Sequence, residues 1–442
     1  MPQAPHREFA YRKVYRYIEA LIDQSPPGQR QRLPSLRGLA SRLRVSLGTV
    51  QHAYNLLEEA GRVERLPRSG YFVHSASSSE VALTPRQPPV FEPSLFELNL
   101  HNHERRLARQ RLRAMGWGQD PGSVRLRQTL AERYTHSSSR YWCATDVHVA
   151  PDLTALLDTV WAALELKHAA VVVHSPCCWQ LLQALARTGV PVLEVPVDTR
   201  GDLNLYALTC LLESEPVGLV VLPSCLSTPQ GRLVTSAGQQ QLGHLLSRYR
   251  VWVLESDLDS ELCHAGPPVI RQRDWVDVRQ LLVVGGFEAV LGPEAPYAYV
   301  LGPTGALTRG FCERAFRLPP LRMQALACML DKGEVDAQWA RLRQALQRRT
   351  RTLARVLALR FGPQLQLRLP DGGGLLWARL RQPVHWDSIS KALAGTPLHA
   401  MPGKHFSLHG RFQHHLALGW TGDDPVELQI AVDRLAQVAG HP

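Results

Sequence analysis

The residues in this sequence with the clearest chemical role are small and polar, and they recur at helical spacing after Ser46. Apolar and polar residues alternate along this stretch as they do in a helix that buries one face. The apolar set is Val50, Ala53, Tyr54 and Leu57, and the outward set is Leu47, Gly48, Gln51, His52 and Asn55. Amide and imidazole groups on such a helix can hydrogen-bond to base edges, and the backbone N–H groups of its first turn can meet phosphate. The pattern predicts a helix that enters the major groove of DNA.

Two further helices are predicted to support this recognition helix. The first carries apolar residues on one face and ends at the Pro26-Pro27-Gly28 run. Its inward residues are Val14, Ile18, Leu21 and Ile22. Ser35 is the predicted N-cap of the second helix, whose inward stripe is Leu36, Leu39, Ala40 and Leu43. Ser46 is predicted to cap the recognition helix in the same way.

A two-stranded wing is predicted beyond the recognition helix. Residues 62–65 and 70–73 are short β-prone segments, and the turn between them carries a cation, Arg68, at its tip. Such a wing can lie along the DNA backbone or in the minor groove. Three helices followed by a wing are the outline of a DNA-binding module.

The block from residue 33 to residue 73 resembles the winged helix-turn-helix of GntR-type bacterial regulators. The matching stretches are LPSLRGLA, VSLGTV, AYNLL and GYFV, which follow the family's order across this block. By position, the resemblance implies a phosphate or base contact at Arg37, capping and backbone contacts at Ser46 and Thr49, and a wing tip at residues 68–70. The residues expected to contact DNA are Ser35, Arg37, Ser46, Leu47, Gly48, Thr49, Gln51, His52, Arg65, Arg68, Ser69 and Gly70.

Two positions depart from the family pattern. The family usually has arginine at the position of Leu47, and often arginine or another polar residue at that of Gln51. A leucine cannot form the bidentate hydrogen bonds that arginine makes to guanine, although it can pack on a thymine methyl group. The operator sequences of relatives therefore cannot be transferred to this chain.

The charge distribution favours a polyanionic partner for the N-terminal part. The chain has a net charge of +11 and a pI near 9.5. Residues 1–74 hold 12 Lys or Arg against 6 Asp or Glu, a balance of +6, and the remainder carries +5. This asymmetry is expected of a DNA-binding head. A generally arginine-rich composition would also raise the charge, so the net charge alone does not identify a DNA-binding protein.

Composition argues against a secreted, membrane-spanning or zinc-binding protein. No run of 18 uncharged apolar residues is present, and the N-terminus lacks the basic-then-apolar order of a signal peptide. We therefore expect a cytoplasmic protein without a membrane partner. The eight cysteines form no CxxC pair and no His/Cys cluster of zinc spacing. They are predicted to be buried thiols of a reducing compartment, with no metal site.

The chain is long enough for a second, large domain after the head. Residues 75–94, rich in Ser and Pro, are predicted to link a head at 1–74 to a domain at 95–442. In that domain short β-branched runs alternate with helical stretches, which predicts an α/β fold with a largely parallel sheet. The runs lie at 169–173, 191–197, 218–222, 251–254 and 281–284. A long helix at 336–359 is predicted to lead to a smaller C-terminal αβ region, with strands at 365–369, 374–380 and 415–419.

Residues 95–442 resemble the aminotransferase-like domain of fold type I pyridoxal-phosphate proteins. The landmarks are GQDPG at 118–122, the run at 191–201, VLESDLDSE at 253–261 and VVGGFEA at 283–289. A GntR head joined to such a domain is the arrangement of MocR-type regulators. The resemblance implies that this chain is one of them.

The chemistry of that cofactor is missing where the family carries it. Pyridoxal phosphate needs a lysine for its Schiff base, a carboxylate at its pyridine nitrogen and a helix start that holds its phosphate. By the resemblance, Ala289 replaces the lysine, Ser256 the carboxylate, Leu258 a tyrosine near the ring oxygen, Pro296 a basic phosphate contact, Asp152 the phosphate-cradling glycine and Ala417 a substrate-binding arginine. None of the five lysines closely follows the strand that should carry the Schiff base, although Lys404 could approach the pocket from the small domain.

Three functions are compatible with these residues. The preferred hypothesis is a regulator with no catalytic residues and no cofactor, whose head binds double-stranded operator DNA while the large domain forms a homodimer and senses a small-molecule effector. The second is a pyridoxal-phosphate-dependent transaminase with a fused DNA-binding head. In the third, the former pocket binds another small molecule or a protein partner. The residues expected to line that pocket are Cys178, Trp179, Ser256 and Asp257.

Overall fold

The structure is a computed structural model of the chain. It describes residues 10–23, 32–43, 45–59, 62–66, 70–73, 94–113, 121–137, 140–166, 169–198, 200–292, 295–382 and 385–439. The predicted wing-tip residues Arg68 and Ser69, the first three residues of the GQDPG landmark and all but the last residue of the predicted linker lie outside these ranges. That last residue, Ser94, begins a helix.

Three helices and a hairpin form the N-terminal head. They are α1 (Ala10–Asp23), α2 (Leu36–Leu43), α3 (Leu47–Glu59), β1 (Val63–Leu66) and β2 (Gly70–Val73). The strands pair antiparallel, with Val63 opposite Val73 and Leu66 opposite Gly70, so the first strand lies one residue later than predicted. The inward residues predicted for α3 are fully buried, as are Val14, Ile18 and Leu39. The apolar stripes therefore do hold the helices together.

A tyrosine pair fixes the wing against the recognition helix. The ring of Tyr54 on α3 stacks on that of Tyr71 on β2, with centroids 4.3 Å apart. The Tyr54 hydroxyl donates a hydrogen bond of 2.6 Å to the carbonyl of Pro34, just before α2. One buried side chain thus connects three elements of the head.

A seven-stranded sheet forms the centre of the large domain. Its strands are β3 (Val147–Ala150), β4 (Ala170–Ser175), β5 (Val192–Pro196), β6 (Val217–Pro223), β9 (Trp252–Ser256), β10 (Leu281–Gly286) and β11 (Ala298–Leu301), in the order β3-β11-β10-β9-β6-β4-β5. Among these strands, β11 runs in the direction opposite to the other six. The short hairpin β7 (Leu226–Ser227) and β8 (Arg232–Leu233) lies outside this sheet. The predicted α/β fold with a mainly parallel sheet is confirmed.

Helices cover both faces of this sheet. They are α4 (Ser94–Arg113), α5 (Pro121–His136), α6 (Leu153–Ala163), α7 (Trp179–Thr188), α8 (Leu205–Ser214), α9 (Ser236–Leu246), α10 (Glu288–Leu291), α11 (Thr304–Arg314) and α12 (Pro320–Asp331). Successive strand residues point to opposite faces. Val172 accordingly belongs to one apolar core, while Val171 and Val173 belong to the other. Burial on both faces explains why these strands are continuous apolar runs.

The small C-terminal domain is an antiparallel sheet covered by helices. Its strands β12 (Leu365–Leu367), β13 (Leu375–Leu380), β14 (Leu398–Pro402) and β15 (His415–Trp420) are ordered β12-β13-β15-β14. Its helices are α14 (Trp386–Leu393) and α15 (Pro425–Val438), and the long helix α13 (Glu334–Phe361) reaches it from the large domain. Leu342 and Leu346 of α13 pack in the large domain, while Leu353 and Leu357 pack in the small one. Among the described helices, none is long and apolar enough to cross a membrane.

Candidate functional site

Serine side chains begin two helices of the head, as the sequence predicts. The Ser46 hydroxyl accepts a hydrogen bond of 3.0 Å from the Thr49 N–H, and the Ser35 hydroxyl accepts one of 3.2 Å from the Gly38 N–H. Ser46 and Thr49 also share a hydroxyl contact of 2.7 Å. These bonds satisfy N–H groups that a helix start leaves unpaired. The hydroxyl groups thereby order the turn that would face DNA.

The first turn of α3 presents an exposed and uncrowded surface. Leu47 is 48% exposed, although it is a large apolar residue. A Cβ atom built on Gly48 would meet only the Ser46 hydroxyl, at 3.8 Å. Nothing in the fold therefore requires glycine at this position, and alanine would favour the helix. A glycine without a structural need leaves space for a close approach by a partner.

Gln51, which is predicted to face DNA, also forms two hydrogen bonds within the head. Its side-chain amide donates hydrogen bonds of 2.8 Å to Asn55 and 2.9 Å to the Tyr71 hydroxyl. Both amide hydrogens are therefore used inside the head, and only the amide oxygen remains as an acceptor. Tyr71 was missed in the sequence because its alternating position on β2 indicates only burial. We interpret Gln51 as a residue that orients α3 against the wing.

The structure describes the other residues predicted to contact DNA to different extents. Arg37 lies exposed on α2, and Gly70 begins β2 with a φ of +102°, a conformation that favours glycine. His52 lies on α3 and Arg65 on β1, where the structure describes their backbone. Arg68 and Ser69 are outside the described residues. The exposed Arg37 and the first turn of α3 therefore form the described part of the candidate DNA-binding surface.

Three of the positions that resemble a cofactor site, Ser256, Leu258 and Ala289, lie where the parallel strands β9 and β10 end. Ala289 is the second residue of α10, directly after β10, and Ser256 ends β9 in register with Val284. Leu258 packs against the apolar core, and Pro296 lies just before β11. Ala417 is fully buried in an apolar cluster with Met401 and Phe406. These positions offer no ionisable group to a cofactor.

The lysines of the described regions lie on other elements. Lys13 lies on α1, Lys332 follows α12, Lys391 lies on α14 and Lys404 lies in the 3₁₀ helix Gly403–Phe406. Lys332 is 4.0 Å from Glu334. Among the described residues, therefore, no lysine stands on the element that follows β10.

Carboxylates occupy the end of the site where a phosphate would be expected. Asp152 caps α6, and its side chain accepts a hydrogen bond of 2.7 Å from the Ala155 N–H. The pKa of Glu288 on α10 is raised, first by burial and then by the negative charge of Asp152. The Asp152 carboxylate therefore already lies at the start of α6, and the Glu288 carboxylate is close enough for Asp152 to raise its pKa. Together with Ala289, these residues do not fit pyridoxal phosphate.

A buried charge network surrounds Asp257, next to Ser256. The Asp257 carboxylate accepts hydrogen bonds from Arg271 at 2.8 Å, Arg273 at 2.6 Å and the Tyr134 hydroxyl at 2.8 Å. Burial would raise the pKa of Asp257, but the two guanidinium groups hold it well below its usual range. Because both of its oxygens are engaged in this network, Asp257 does not replace the carboxylate that Ser256 lacks.

Glu255 completes this network from inside the sheet. Its carboxylate lies 2.8 Å from Nε of Arg273, and both side chains are 0% exposed. Burial raises the pKa of Glu255 despite the opposite charge of Arg273. The arginines were not singled out in the sequence, because a spacing of 14 or 16 residues from Asp257 does not show that the chain folds back. Two arginines in the apolar stretch 268–276 are the only signal that the sequence offers.

A cavity of about 900 Å³ opens beside the network at the ends of β9 and β10. Its wall combines aromatic side chains with charged ones, among them Tyr134, Phe287, Trp339, Arg133 and Arg343. Of the four residues predicted to line a pocket, the structure places Asp257 on this cavity. Cys178 is instead buried in a core and Trp179 packs on an apolar cluster. Crevices at the carboxyl ends of parallel strands are common ligand sites.

Comparisons with known proteins identify the two parts of the chain. Residues 10–73 match the family model for bacterial regulatory proteins of the gntR family. The uncharacterized HTH-type transcriptional regulator YdcR of Escherichia coli (strain K12) is 26% identical over 440 residues, covering 90% of this chain and 92% of YdcR. The probable rhizopine catabolism regulatory protein MocR of Rhizobium meliloti is 23% identical over 471 residues, covering 96% of this chain and 92% of MocR.

The large part of the chain has the fold of solved aminotransferases. LysN, the alpha-aminoadipate aminotransferase of Thermus thermophilus, superposes with a TM-score of 0.69 at 19% identity, covering 80% of this chain and 89% of LysN. This likeness establishes the fold. With a gntR-family head, an aminotransferase-like fold and similarity to HTH-type regulators over nearly its whole length, the chain has the two-part arrangement of MocR-type regulators.

Proposed function

We propose that this protein is a cytoplasmic transcriptional regulator that binds operator DNA as a homodimer and is not an enzyme. The observation that carries the proposal is the first turn of α3, where Ser46 caps the helix and Gly48 leaves open space. A helix start that is capped by Ser46 and uncrowded at Gly48 is suited to contact phosphate while the rest of the helix enters the major groove.

Binding to DNA from the protein's own upstream region tests this part of the proposal. We expect fluorescence anisotropy to show at least tenfold tighter binding to that fragment than to a shuffled fragment of equal length, at matched salt. The variant Gly48→Glu should abolish the preference, because a carboxylate would repel the phosphate backbone. Thr154→Glu, on an exposed position of α6, adds the same charge to the large domain and serves as the control. Equal affinity of the wild type for both fragments would contradict the proposal.

Dimerisation is proposed to join two heads on two half-sites. An apolar stretch at the rim of the cavity supports a contact between copies, because Val269 is 88% exposed and Ile270 is 46% exposed. Light scattering should give twice the chain mass of 49.4 kDa. The variant Val269→Asp should shift the mass toward the monomer and weaken binding to two half-sites, while Leu359→Asp on α13 should leave the mass unchanged. A monomeric wild type would contradict dimer binding.

The absence of enzyme activity is proposed from the charges at the former cofactor site. Asp152 and Glu288 disfavour a phosphate, and Ala289 provides no amine. We expect no Schiff-base absorbance on mixing with pyridoxal phosphate, and no cofactor attached to a single lysine after borohydride reduction. Attachment to one lysine that disappears in Lys404→Ala would instead favour the transaminase alternative.

The cavity beside Asp257 is proposed to bind a small-molecule effector. Its aromatic side chains can stack on a ring, while its guanidinium and carboxylate groups are held in place by ion pairs, such as Arg133 with Asp336 at 2.7 Å. Zwitterionic aromatic compounds suit such a wall. Thermal-shift measurements with L-tryptophan and L-tyrosine should raise the melting temperature of the wild type and not that of Trp339→Ala. Unchanged melting of the wild type would count against this ligand class.

A further inference from the structure

The long helix α13 carries an unusual run of positive charge. After Asp336, residues 337–361 contain seven arginines and no Asp or Glu. Three of these arginines have acidic partners on other elements. Arg343 lies 3.7 Å from Glu261, Arg349 3.1 Å from Asp423 and Arg360 2.9 Å from Asp433. These three stabilise the packing of the helix against its own chain.

The other four arginines form an exposed stripe. Arg341, Arg348, Arg351 and Arg355 are all exposed, and none of them has an ion pair within the part of the chain that the structure describes. At 3.6 residues per turn their directions fall within roughly 80° of one another around the helix, and they extend over about 21 Å of its length. We name this set the α13 arginine stripe.

The surroundings of the stripe reduce its charge only in part. Arg348 adds to the effect of Arg349 in lowering the pKa of Asp423. Arg351 lowers the pKa of His264, in addition to the larger effect of burial. Like charges three or four residues apart repel each other on a helix. The stripe is therefore slightly unfavourable for the isolated chain, and an anionic partner would relieve this repulsion.

We propose that the α13 arginine stripe binds the phosphate backbone of double-stranded DNA that extends beyond the site held by the head. Charge complementarity favours this partner, since duplex DNA presents about one negative charge per 1.7 Å of its axis. Guanidinium groups can bind phosphate oxygens through two hydrogen bonds each. The inference rests on the proposed function, because the head brings DNA to the protein and thereby raises its concentration near the stripe.

The length of the DNA distinguishes this contact from that of the head. We compare the wild type with a variant in which the four stripe arginines are replaced by glutamine, on a short operator fragment and on one extended by about 30 base pairs. The variant should bind the short fragment as the wild type does and lose at least tenfold in affinity on the long one. The slope of log K against log salt on the long fragment should fall by about 0.9 for each lost phosphate contact.

A second variant separates a local contact from general charge. Replacing Arg200, Arg248, Arg250 and Arg279 by glutamine removes the same charge from exposed positions of the large domain. This control should keep the salt slope and the affinity on both fragments. Glutamine has nearly the helix propensity of arginine, so the stripe variant should keep its melting temperature.

Three results would overturn the proposal. Equal losses in the two quadruple variants would indicate general electrostatics, and an unchanged salt slope in the stripe variant would exclude the contact. Loss of binding to an acidic protein, with DNA binding unchanged, would assign the stripe to a protein partner. The wild type could also bind the fragment of its own upstream region and the shuffled fragment equally, while the stripe variant still loses salt-dependent affinity on the long fragment. In that case the proposed function fails and the stripe contact stands.

Discussion

Arg273 donates a hydrogen bond of 2.6 Å to Asp257 inside the large domain, where the two side chains are 0% and 5% exposed. This bond joins the 3₁₀ helix Gln272–Trp275 to the end of β9. Trp275 and Asp274 of that helix line the cavity, as does Asp257 itself. The ion pair therefore holds one wall of the cavity against the sheet.

Removing the negative charge of Asp257 should destabilise the protein strongly. In Asp257→Asn, Arg273 and Arg271 would lose the carboxylate that they share and keep only their pairs with Glu255 and Glu261, while remaining buried. Breaking one side of a buried pair costs roughly 3–5 kcal/mol. Urea unfolding of the large domain should show this loss. The matched variant Asp158→Asn breaks a partly exposed pair with Arg187, at 3.5 Å, and should change stability by less than about 1 kcal/mol. Similar effects of both variants would contradict a structural role for the network.

The fold was predictable where one physical rule determines the pattern. The apolar stripes of the head helices are spaced by the burial of one helix face. The apolar runs of β4, β6, β9 and β10 are continuous because both faces of the sheet are buried. The strands β3, β11 and β14 were missed, because four or five mostly apolar residues between helices do not distinguish a strand from a helix turn. The wing strand was one residue off, since its register depends on pairing with β2.

The candidate site was predictable only in its local features. Ser35 and Ser46 were recognised as caps because capping is a contact between near neighbours in sequence. The engagement of Gln51 by Tyr71 joins residues 20 apart, and the pairing of Asp257 with Arg273 joins residues 16 apart. Such contacts depend on how the chain folds back, which no spacing reveals. The resemblance that singled out Ser256, Ala289 and Asp152 likewise did not indicate that Glu288 lies close to Asp152.

A second prediction concerns how acid affects the contact between the large domain and the small C-terminal domain. Glu194 on β5 accepts hydrogen bonds from Ser175 at 2.6 Å and from Ser407 and the Leu408 N–H of the small domain at 2.9 and 2.7 Å. Burial would raise the pKa of Glu194, but contacts with His409, Ser175 and Ser407 lower it from 4.5 to about 2.

The sign of the pH dependence follows from this lowered pKa. The unfolded chain binds a proton at Glu194 near pH 4.5 and the folded chain only near pH 2. Glu194 therefore contributes stability above pH 4.5, on the order of 3 kcal/mol, which is lost as the pH falls to 2. Glu194→Gln should be less stable than the wild type at pH 6, and the difference should vanish near pH 2. A difference that does not change with pH would contradict this assignment.

A third prediction separates folding from DNA binding at Gly48. Alanine there meets open space and favours the helix, so Gly48→Ala should keep or raise stability by up to about 1 kcal/mol. Its methyl group would nevertheless stand between α3 and the DNA backbone. We expect at least a tenfold loss of operator affinity by anisotropy, with an unchanged or higher melting temperature. Ser46→Ala is the complementary variant, because loss of its cap should lower stability by about 1 kcal/mol. Wild-type affinity in Gly48→Ala would show that the turn does not approach DNA closely.

The fourth prediction concerns the base preference set by Leu47. This side chain is 48% exposed at the start of α3, so Leu47→Arg should leave the fold and its melting temperature unchanged. A leucine can contact a thymine methyl group, whereas an arginine can bind guanine through two hydrogen bonds. Selection of binding sites from a random DNA pool should therefore recover thymine at one position of each half-site for the wild type and guanine there for Leu47→Arg. The same substitution at Leu98, which is 55% exposed on α4, should not change the selected sequence. An identical preference in Leu47→Arg and the wild type would place base recognition elsewhere on α3 or in the wing.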